Sequence, residues 1–292
     1  MNVDIRNSID AWALLYSSIA KTLDQKFGAE GRSVLRRSIR GYAAERGNRR
    51  KAELCGNGLS LDLRNLISAG CDFPSDHRTE VEWIKIAPQE LFANVAHCPL
   101  ATLWANEGAS DLGCIYCEEF YHAYFKSTLS NRVQVNLTQM MTHERDELCR
   151  ISLYLRPANL DEAQRKICFE MGETSGEAIE HKPTKHLIRS QWALFYTHCY
   201  VNIQNQFGDK GLLAFKEALT GFSDRLAAYI LRLRREDACS ELVTAIDAED
   251  FLAGIIPLYS CTSDTEVWGD SSTSNSRAFY LSFFERPLLE QL

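Results

Sequence analysis

The chain is poor in the residues and patterns that mark several classes of protein. It has only 16 glycines and 7 prolines in 292 residues, too few for a collagen-like or low-complexity chain. Its hydrophobic content of 45% is too high for a disordered one. A run of about 18 apolar residues is missing, so no membrane-spanning helix is predicted. Lys and Arg number 32 against 39 Asp and Glu, and this acidic balance argues against a nucleic-acid surface, which needs clustered basic residues.

The N-terminus also lacks the marks of a secreted protein. Asp4 and Asp10 flank a short apolar stretch, without a basic leader or a small-residue cleavage site, so no signal peptide is expected. Ten cysteines are present, but a disulfide framework is typical of short secreted chains with small cores. We therefore predict a soluble, cytoplasmic protein in which most cysteines are reduced and buried.

An internal repeat organises the chain. The stretch that begins at Trp12 resembles the stretch that begins at Trp192, at a constant offset of 180 residues. Aromatic residues and glycines match in register, which chance similarity between two helices does not produce. The identical pairs are Trp12/Trp192, Ala13/Ala193, Leu14/Leu194, Tyr16/Tyr196, Phe27/Phe207, Gly28/Gly208, Gly31/Gly211 and Gly41/Gly221.

Each copy predicts two helices with a break between them. Apolar residues recur at helical spacing before and after Gly28 and again around Gly208, and glycine ends a helix at little cost. Weaker similarity continues as far as Cys98-Pro99 against Arg286-Pro287. We predict a domain at 1–156, a connecting segment at 157–185 and a degenerate, truncated second copy at 186–292.

The remaining pattern predicts a small sheet in the first half. Strands are expected near 81–86, 133–137 and 149–155, where β-branched and apolar residues dominate or alternate with polar ones. Helices are expected over 103–126 and around 161–170. The predicted fold class is therefore α+β and helix-dominated, with an internally duplicated helical pair and a small antiparallel sheet in the first half.

Reactive side chains concentrate between residues 97 and 149. Four cysteines and three histidines fall in this segment. Cys114-x-x-Cys117 is half of a zinc motif that Cys149, Cys98 or His122 could complete. Alternatively Cys98, which precedes Pro99 and a predicted helix, is a nucleophile whose thiolate the helix N-terminus stabilises. Buried core thiols, solvated carboxylates and surface histidines are the non-functional alternative for each of these residues.

The same motifs resemble the L-2-amino-thiazoline-4-carboxylic acid hydrolase family. The resemblance rests on Phe-Gly-x-x-Gly after the first helix, Cys98-Pro99, Cys117 in IYCEEFYHAYF, and Asp146-Glu147-Leu148-Cys149 before a strand. It covers about 10–156. The departures are Arg145, where the family pattern has glycine, and Glu118-Glu119, where Asp is often found nearby.

The resemblance implies Cys-dependent hydrolysis of a cyclic amidine or thiazoline-type C–N bond, giving an N-carbamoyl amino acid such as N-carbamoyl-cysteine. On this hypothesis Cys98 attacks the amidine carbon, an acidic residue moves protons and a histidine assists. Alternatively the three family cysteines hold a metal ion that activates water. The predicted catalytic residues are Cys98, Cys117, Cys149, Asp146, His122 and Glu118, and the predicted substrate-binding residues are His97, Tyr121, His143 and Arg145.

Two other functions remain open at this point. One is an enzyme of the same fold in specialised metabolism that performs cyclisation or isomerisation, and the other is a non-catalytic binding or dimerisation module. The expected partner is a small-molecule substrate, with no nucleic acid and no membrane. No cofactor is expected unless the cysteines bind zinc, and a homodimer is left open.

Overall fold

A computed structural model describes residues 3–70, 76–143, 145–172 and 184–237. Most of these residues are helical, and the strands among them form one small sheet. The helices are α1 (Val3–Gly56), α2 (Leu63–Ser68), α3 (Pro99–Asn106), α4 (Ser110–Thr128), α5 (Glu162–Phe169) and α6 (Thr184–Asp237), and the strands are β1 (Glu80–Ile86), β2 (Glu90–His97), β3 (Gln134–Gln139) and β4 (Cys149–Tyr154). None of the helices in the described part of the chain combines the length and apolar character needed to cross a membrane.

The described residues form two compact units. One contains the chain up to Leu35 together with the residues from Lys185 onward, and the other is Arg36–Thr184. The second unit spans the predicted division at 156 and ends beside the one at 185, whereas the boundary at Leu35 lies inside the predicted first domain. The domain division made from the sequence remains a prediction. The Arg286-Pro287 match of the second copy lies outside the described residues.

The first unit pairs two long helical segments, each broken at a glycine. Gly28 in α1 has φ 53° and ψ −128°, and Gly208 in α6 has φ 55° and ψ −137°. The predicted helix, break and helix is thus confirmed in both segments. The Phe27 and Phe207 rings stack with their centroids 3.8 Å apart. Equivalent positions of the predicted repeat therefore lie against each other, although common descent of the two segments stays a prediction.

The second unit carries a four-stranded antiparallel sheet in the order β1-β2-β4-β3. Apolar residues on one face are buried, among them Leu91, Val95, Ile151 and Leu153, and α4 contacts β3. The outer strand β1 is exposed along its whole length. The fold class is therefore the helix-dominated α+β arrangement with a small antiparallel sheet.

Two details differ from the sequence prediction. A single helix over 103–126 is wrong, because α3 and α4 are separate helices and Gly108 between them has φ 61°. The strand β2 is absent from the predicted strands. Its residues Leu91, Ala93 and Val95 are buried and alternate with more exposed residues, as in a half-buried strand. Because the middle one is an alanine, which is uncommon in strands, this alternation is a weak signal in the sequence. The other three strands and α5 are confirmed.

Candidate active site

The four cysteines of the 97–149 segment are positioned by different elements. Cys98 is the N-cap residue of α3, Cys114 and Cys117 lie one turn apart on α4, and Cys149 begins β4. Cys149 is paired with Val95 near the end of β2, and Cys98 follows three residues later. Antiparallel pairing of β2 with β4 therefore brings the last residues of one strand beside the first residue of the other.

Cys98, Cys117 and Cys149 form one cluster, which we call the thiol cluster. Burial raises the pKa of Cys117 well above that of an ordinary thiol, and the negative charges that Cys98 and Cys149 would carry raise it further. The pKa of Cys149 is likewise raised by burial and by Cys98. Cys98 and Cys149, which are far from Cys117 in the sequence, thus lie close enough to it to disfavour its ionisation, as does Cys114 on the same helix.

Tyr121 belongs to the same surroundings. It lies one turn beyond Cys117 on α4, and its pKa is raised well above normal by burial and then by Cys117, Cys98 and Cys149. Its phenol is therefore protonated at neutral pH and can donate a hydrogen bond. The structure thus places one predicted substrate-binding residue beside the three predicted catalytic cysteines.

Cys98 has the helix-terminus setting that the sequence predicts. Burial raises its pKa, and the backbone N–H groups of Ala101 and Leu100 oppose that rise. Neither N–H makes a full capping hydrogen bond to the sulfur. Burial has the larger effect, so Cys98 is a thiol at neutral pH and must lose its proton during any attack.

Cys149 and Asp146 fix the loop that precedes β4. The Met141 N–H donates to Cys149 Sγ over 3.3 Å, and the Met140 N–H donates to Asp146 Oδ2 over 2.9 Å. Two backbone N–H groups of this loop therefore donate to the side chains of the Asp-x-x-Cys motif, which holds the loop in a folded-back conformation. Arg145 is exposed in this loop.

A second group of side chains surrounds Cys114. His143 Nε2 lies 2.9 Å from Cys114 Sγ, and Glu118 Oε1 lies 3.8 Å from the same sulfur. Asp146 Oδ2 lies 3.4 Å from His143 Nδ1. Three predicted site residues, Glu118, His143 and Asp146, are therefore gathered around a cysteine that is absent from the predicted site. The spacing of Cys114 and Glu118, four residues apart on one helix, is the sequence signal that identifies this pair.

A cleft of about 680 Å³ borders this second group. Charged side chains of both signs line it. Glu118 accepts from Arg36 Nη1 over 2.9 Å, and Glu119 accepts from Arg36 and Arg40. The pKa of His122 is lowered by burial and by Lys126, so its imidazole is neutral at pH 7. The lining residues are Arg40, Glu118, Glu119, His122, Ala123, Lys126, Leu137, Met140 and His143.

His97 has a different partner from the one its position beside Cys98 suggests. Its Nδ1 is hydrogen-bonded to the Arg78 carbonyl. Arg78 in turn pairs with the buried carboxylate of Asp76. Burial opposes ionisation of Asp76, but the hydrogen bonds from Arg78 outweigh it and lower the Asp76 pKa. The pair was not predicted, because Asp76 and Arg78 lie in a polar stretch that carries no motif.

The fold and these contacts define a helix-dominated α+β protein with a thiol-rich centre on a small sheet. Residues 6–151, half of the chain, match the family model described as L-2-amino-thiazoline-4-carboxylic acid hydrolase, and the chain belongs to this family. The expected family is therefore confirmed, whereas a tandem second copy is not part of that match. No curated protein and no solved structure gives a significant match.

Proposed function

We propose that this protein hydrolyses a thiazoline-type cyclic amidine resembling L-2-amino-thiazoline-4-carboxylate, with an N-carbamoyl amino acid as product. The convergence of Cys98, Cys117 and Cys149 carries the proposal. These residues match the family pattern and come from three separate elements, yet Cys98 and Cys149 both raise the pKa of Cys117, and Cys98 raises that of Cys149. Membership of a family named for this hydrolysis supports the same substrate class.

The chemistry requires a nucleophile and a proton donor at one carbon. In the 2-aminothiazoline ring, the amidine carbon is bonded to the ring sulfur, the ring nitrogen and an exocyclic nitrogen. Formation of N-carbamoyl-cysteine adds a water oxygen to this carbon and breaks its bond to the ring sulfur. The amidine C=N bond becomes a single C–N bond and is retained. The cleaved bond is thus the ring C–S bond, so the C–N bond inferred from the family resemblance is wrong for this product.

In the proposed mechanism Cys98 is the nucleophile. Its Sγ bonds to the amidine carbon while its proton passes to the amidine nitrogen, which makes that carbon electrophilic. The ring C–S bond then breaks, the released sulfur takes a proton, and an isothiourea remains on Cys98. Water attacks the same carbon, the Cys98 C–S bond breaks, and the thiol recovers its proton as the urea leaves. The Tyr121 phenol, whose pKa is raised by burial and then by the same cysteines, would supply a hydrogen-bond donor to the reacting groups.

The cleft beside Cys114 offers one charge that suits such a substrate, although the three cysteines of the thiol cluster do not line it. The proposed substrate carries a carboxylate and, when protonated, a cationic amidine. Lys126 offers positive charge on this cleft, whereas Arg40, Glu118 and Glu119 are held in ion pairs with one another or with Arg36. Opposite charges on ligand and protein favour binding and its orientation.

Incubation of the purified protein with L-2-amino-thiazoline-4-carboxylate, followed by mass spectrometry, tests the function. We expect a product heavier by one water, because hydrolysis adds two hydrogens and one oxygen. We expect Cys98→Ser to reduce kcat/KM at least about 10³-fold, since it replaces the attacking thiol by a weaker nucleophile. Cys55→Ser, at a half-buried thiol outside the cluster, is the matched control and should retain activity.

The outcomes separate the hypotheses. A product of unchanged mass would support cyclisation or isomerisation instead, and the absence of any product would contradict the proposed function. Full turnover by Cys98→Ser would agree with the proposed hydrolysis but contradict the nucleophilic role of Cys98.

A further inference from the structure

Cys114, Glu118 and His143 present three different ligand atoms to one point. The thiol sulfur, a carboxylate oxygen and an imidazole nitrogen all lie within 4.8 Å of one another. Cys114 and Glu118 reach this point from successive turns of α4, and His143 reaches it from the loop between β3 and β4. Sulfur, nitrogen and oxygen from these residue types are the ligands that zinc takes in proteins.

The two distances from Cys114 Sγ lie on either side of those in a tetrahedral zinc site, so zinc binding requires small adjustments of the side chains. Zinc bonds of about 2.0–2.3 Å place neighbouring ligand atoms roughly 3.3–3.7 Å apart. The observed separations from Cys114 Sγ are 2.9 Å to His143 Nε2 and 3.8 Å to Glu118 Oε1. The two values lie on either side of the expected range.

His143 is also oriented in the way that metal-binding histidines usually are. Its Nδ1 faces the Asp146 carboxylate at 3.4 Å, which leaves Nε2 directed at Cys114. Asp146 is itself held by the Met140 N–H. A carboxylate behind the histidine fixes the tautomer that leaves the other nitrogen free to bind a cation.

Cys114, His143 and Asp146 also resemble a Cys-His-Asp nucleophilic triad, and Glu118 distinguishes a metal site from such a triad. A thiolate nucleophile at Cys114 would be opposed by the Glu118 carboxylate 3.8 Å away. A bound cation instead makes this acidic neighbour favourable, because the carboxylate becomes a ligand. The position of Glu118 therefore favours a metal ion over an unassisted thiolate.

We propose that Cys114, Glu118 and His143 bind a divalent cation of the zinc class, with Asp146 as the residue that positions His143. Glu118 and His143 also line the cleft, so the remaining coordination position is accessible to water. Three protein ligands and one open position are typical of catalytic rather than structural zinc. This site is distinct from a Cys114-x-x-Cys117 zinc motif, since Cys117 belongs to the thiol cluster.

Metal content of the full chain, measured by mass spectrometry after zinc loading and dialysis, tests the site. We expect one zinc per chain, and a loss of at least about tenfold in zinc affinity for Cys114→Ser and for His143→Asn. Asp146→Asn should weaken zinc binding about 10–100-fold by releasing the histidine. Cys117→Ser, one turn away on the same helix, is the matched control and should bind zinc as the parent does.

Cobalt substitution gives a readout that does not depend on activity. With Co²⁺ in the site, we expect a thiolate-to-cobalt charge-transfer band that is lost in Cys114→Ser and kept in Cys117→Ser, with circular dichroism showing that both variants fold. Absence of bound metal, or loss of the band in Cys117→Ser but not in Cys114→Ser, would overturn the proposal. If the protein binds no zinc after loading but turns over fully, the metal site is rejected and the proposed hydrolysis stands. If it binds zinc at this site but shows no turnover, the metal site stands and the proposed hydrolysis is rejected.

Discussion

The thiols of the second unit differ chiefly in what surrounds each sulfur. Cys117 lies among other thiols, Cys114 contacts an imidazole and a carboxylate, and Cys168 is packed in the core with 2% exposure. Burial is the first cause of the raised pKa in each case, and it raises the pKa of Cys168 to about 11. These residues are consequently protonated at neutral pH in the folded protein.

The raised thiol pKa values predict a loss of stability in alkaline solution. Above about pH 9 the unfolded chain releases thiol protons that the folded chain still holds, so the free energy of unfolding falls as pH rises. The stabilisation is complete at neutral pH and is lost as pH rises through the range from about 9 to about 11. We expect Tm to decline over this range, measured by circular dichroism under reducing conditions.

Cys168→Ala tests whether burial of a thiol is responsible. This variant removes one group with a raised pKa, so its Tm should fall less steeply with pH even if its Tm at neutral pH is lower. An unchanged slope would show that Cys168 does not contribute to the alkaline transition.

At the scale of elements, the Phe-Gly-x-x-Gly motif explains how each long helix breaks. The first glycine supplies a backbone conformation with positive φ, at Gly28 and at Gly208. The second supplies close approach, because a Cβ on Gly31 would lie 2.1 Å from the Leu23 carbonyl oxygen and one on Gly211 would lie 2.7 Å from the Ile203 oxygen. One short motif thus meets two separate steric demands.

Gly28→Ala should destabilise the protein by about 1–3 kcal/mol, because a φ of 53° with a ψ of −128° is strained for a residue with a Cβ. No atom lies within 4 Å of the added Cβ, so the effect would come from the backbone alone. Gly221→Ala in α6 is the matched control, since it also has open space and lacks a positive φ. It should stabilise by up to about 1 kcal/mol.

Urea unfolding followed by circular dichroism measures both changes. Equal effects of the two substitutions would contradict the assignment of the helix break to the conformation of Gly28.

At the scale of the whole molecule, the later helical segment is part of the core of the first unit. Phe195 is fully buried, and its ring lies 5.3 Å from that of Trp12 and 6.0 Å from that of Tyr16. Tyr229 donates to the buried carboxylate of Asp10 over 2.9 Å. Residues of α6 therefore complete the packing of the N-terminal helix.

Phe195→Ala should lower the free energy of unfolding by about 3–5 kcal/mol, because it leaves a cavity against two aromatic rings. Leu213→Ala in the same helix is the control, because Leu213 is 67% exposed and should change stability by no more than about 0.5 kcal/mol. Urea denaturation compares the two. A small effect of Phe195→Ala would show that the two segments are not one cooperative core.

The elements that could be predicted are those with strong local patterns. The glycine breaks in α1 and α6, the strands β1, β3 and β4, and helix α5 all follow from spacing or from β-branched and apolar composition. The strand β2 and the break at Gly108 were missed, because small residues give a weak period and a single glycine in a polar stretch does not identify a break. Local patterns set the type of element more firmly than its ends.

The family, the helix breaks and the segment that holds the reactive residues could all be inferred from the amino-acid sequence. Which of those residues meet became known from the three-dimensional arrangement, in which Cys98 and Cys149 lie near Cys117, and Glu118, His143 and Asp146 lie around Cys114. Spacing along the chain determines which side chains share one face of a helix or strand. Contacts between distant segments depend instead on how strands pair and on which backbone N–H groups of a loop bind its side chains.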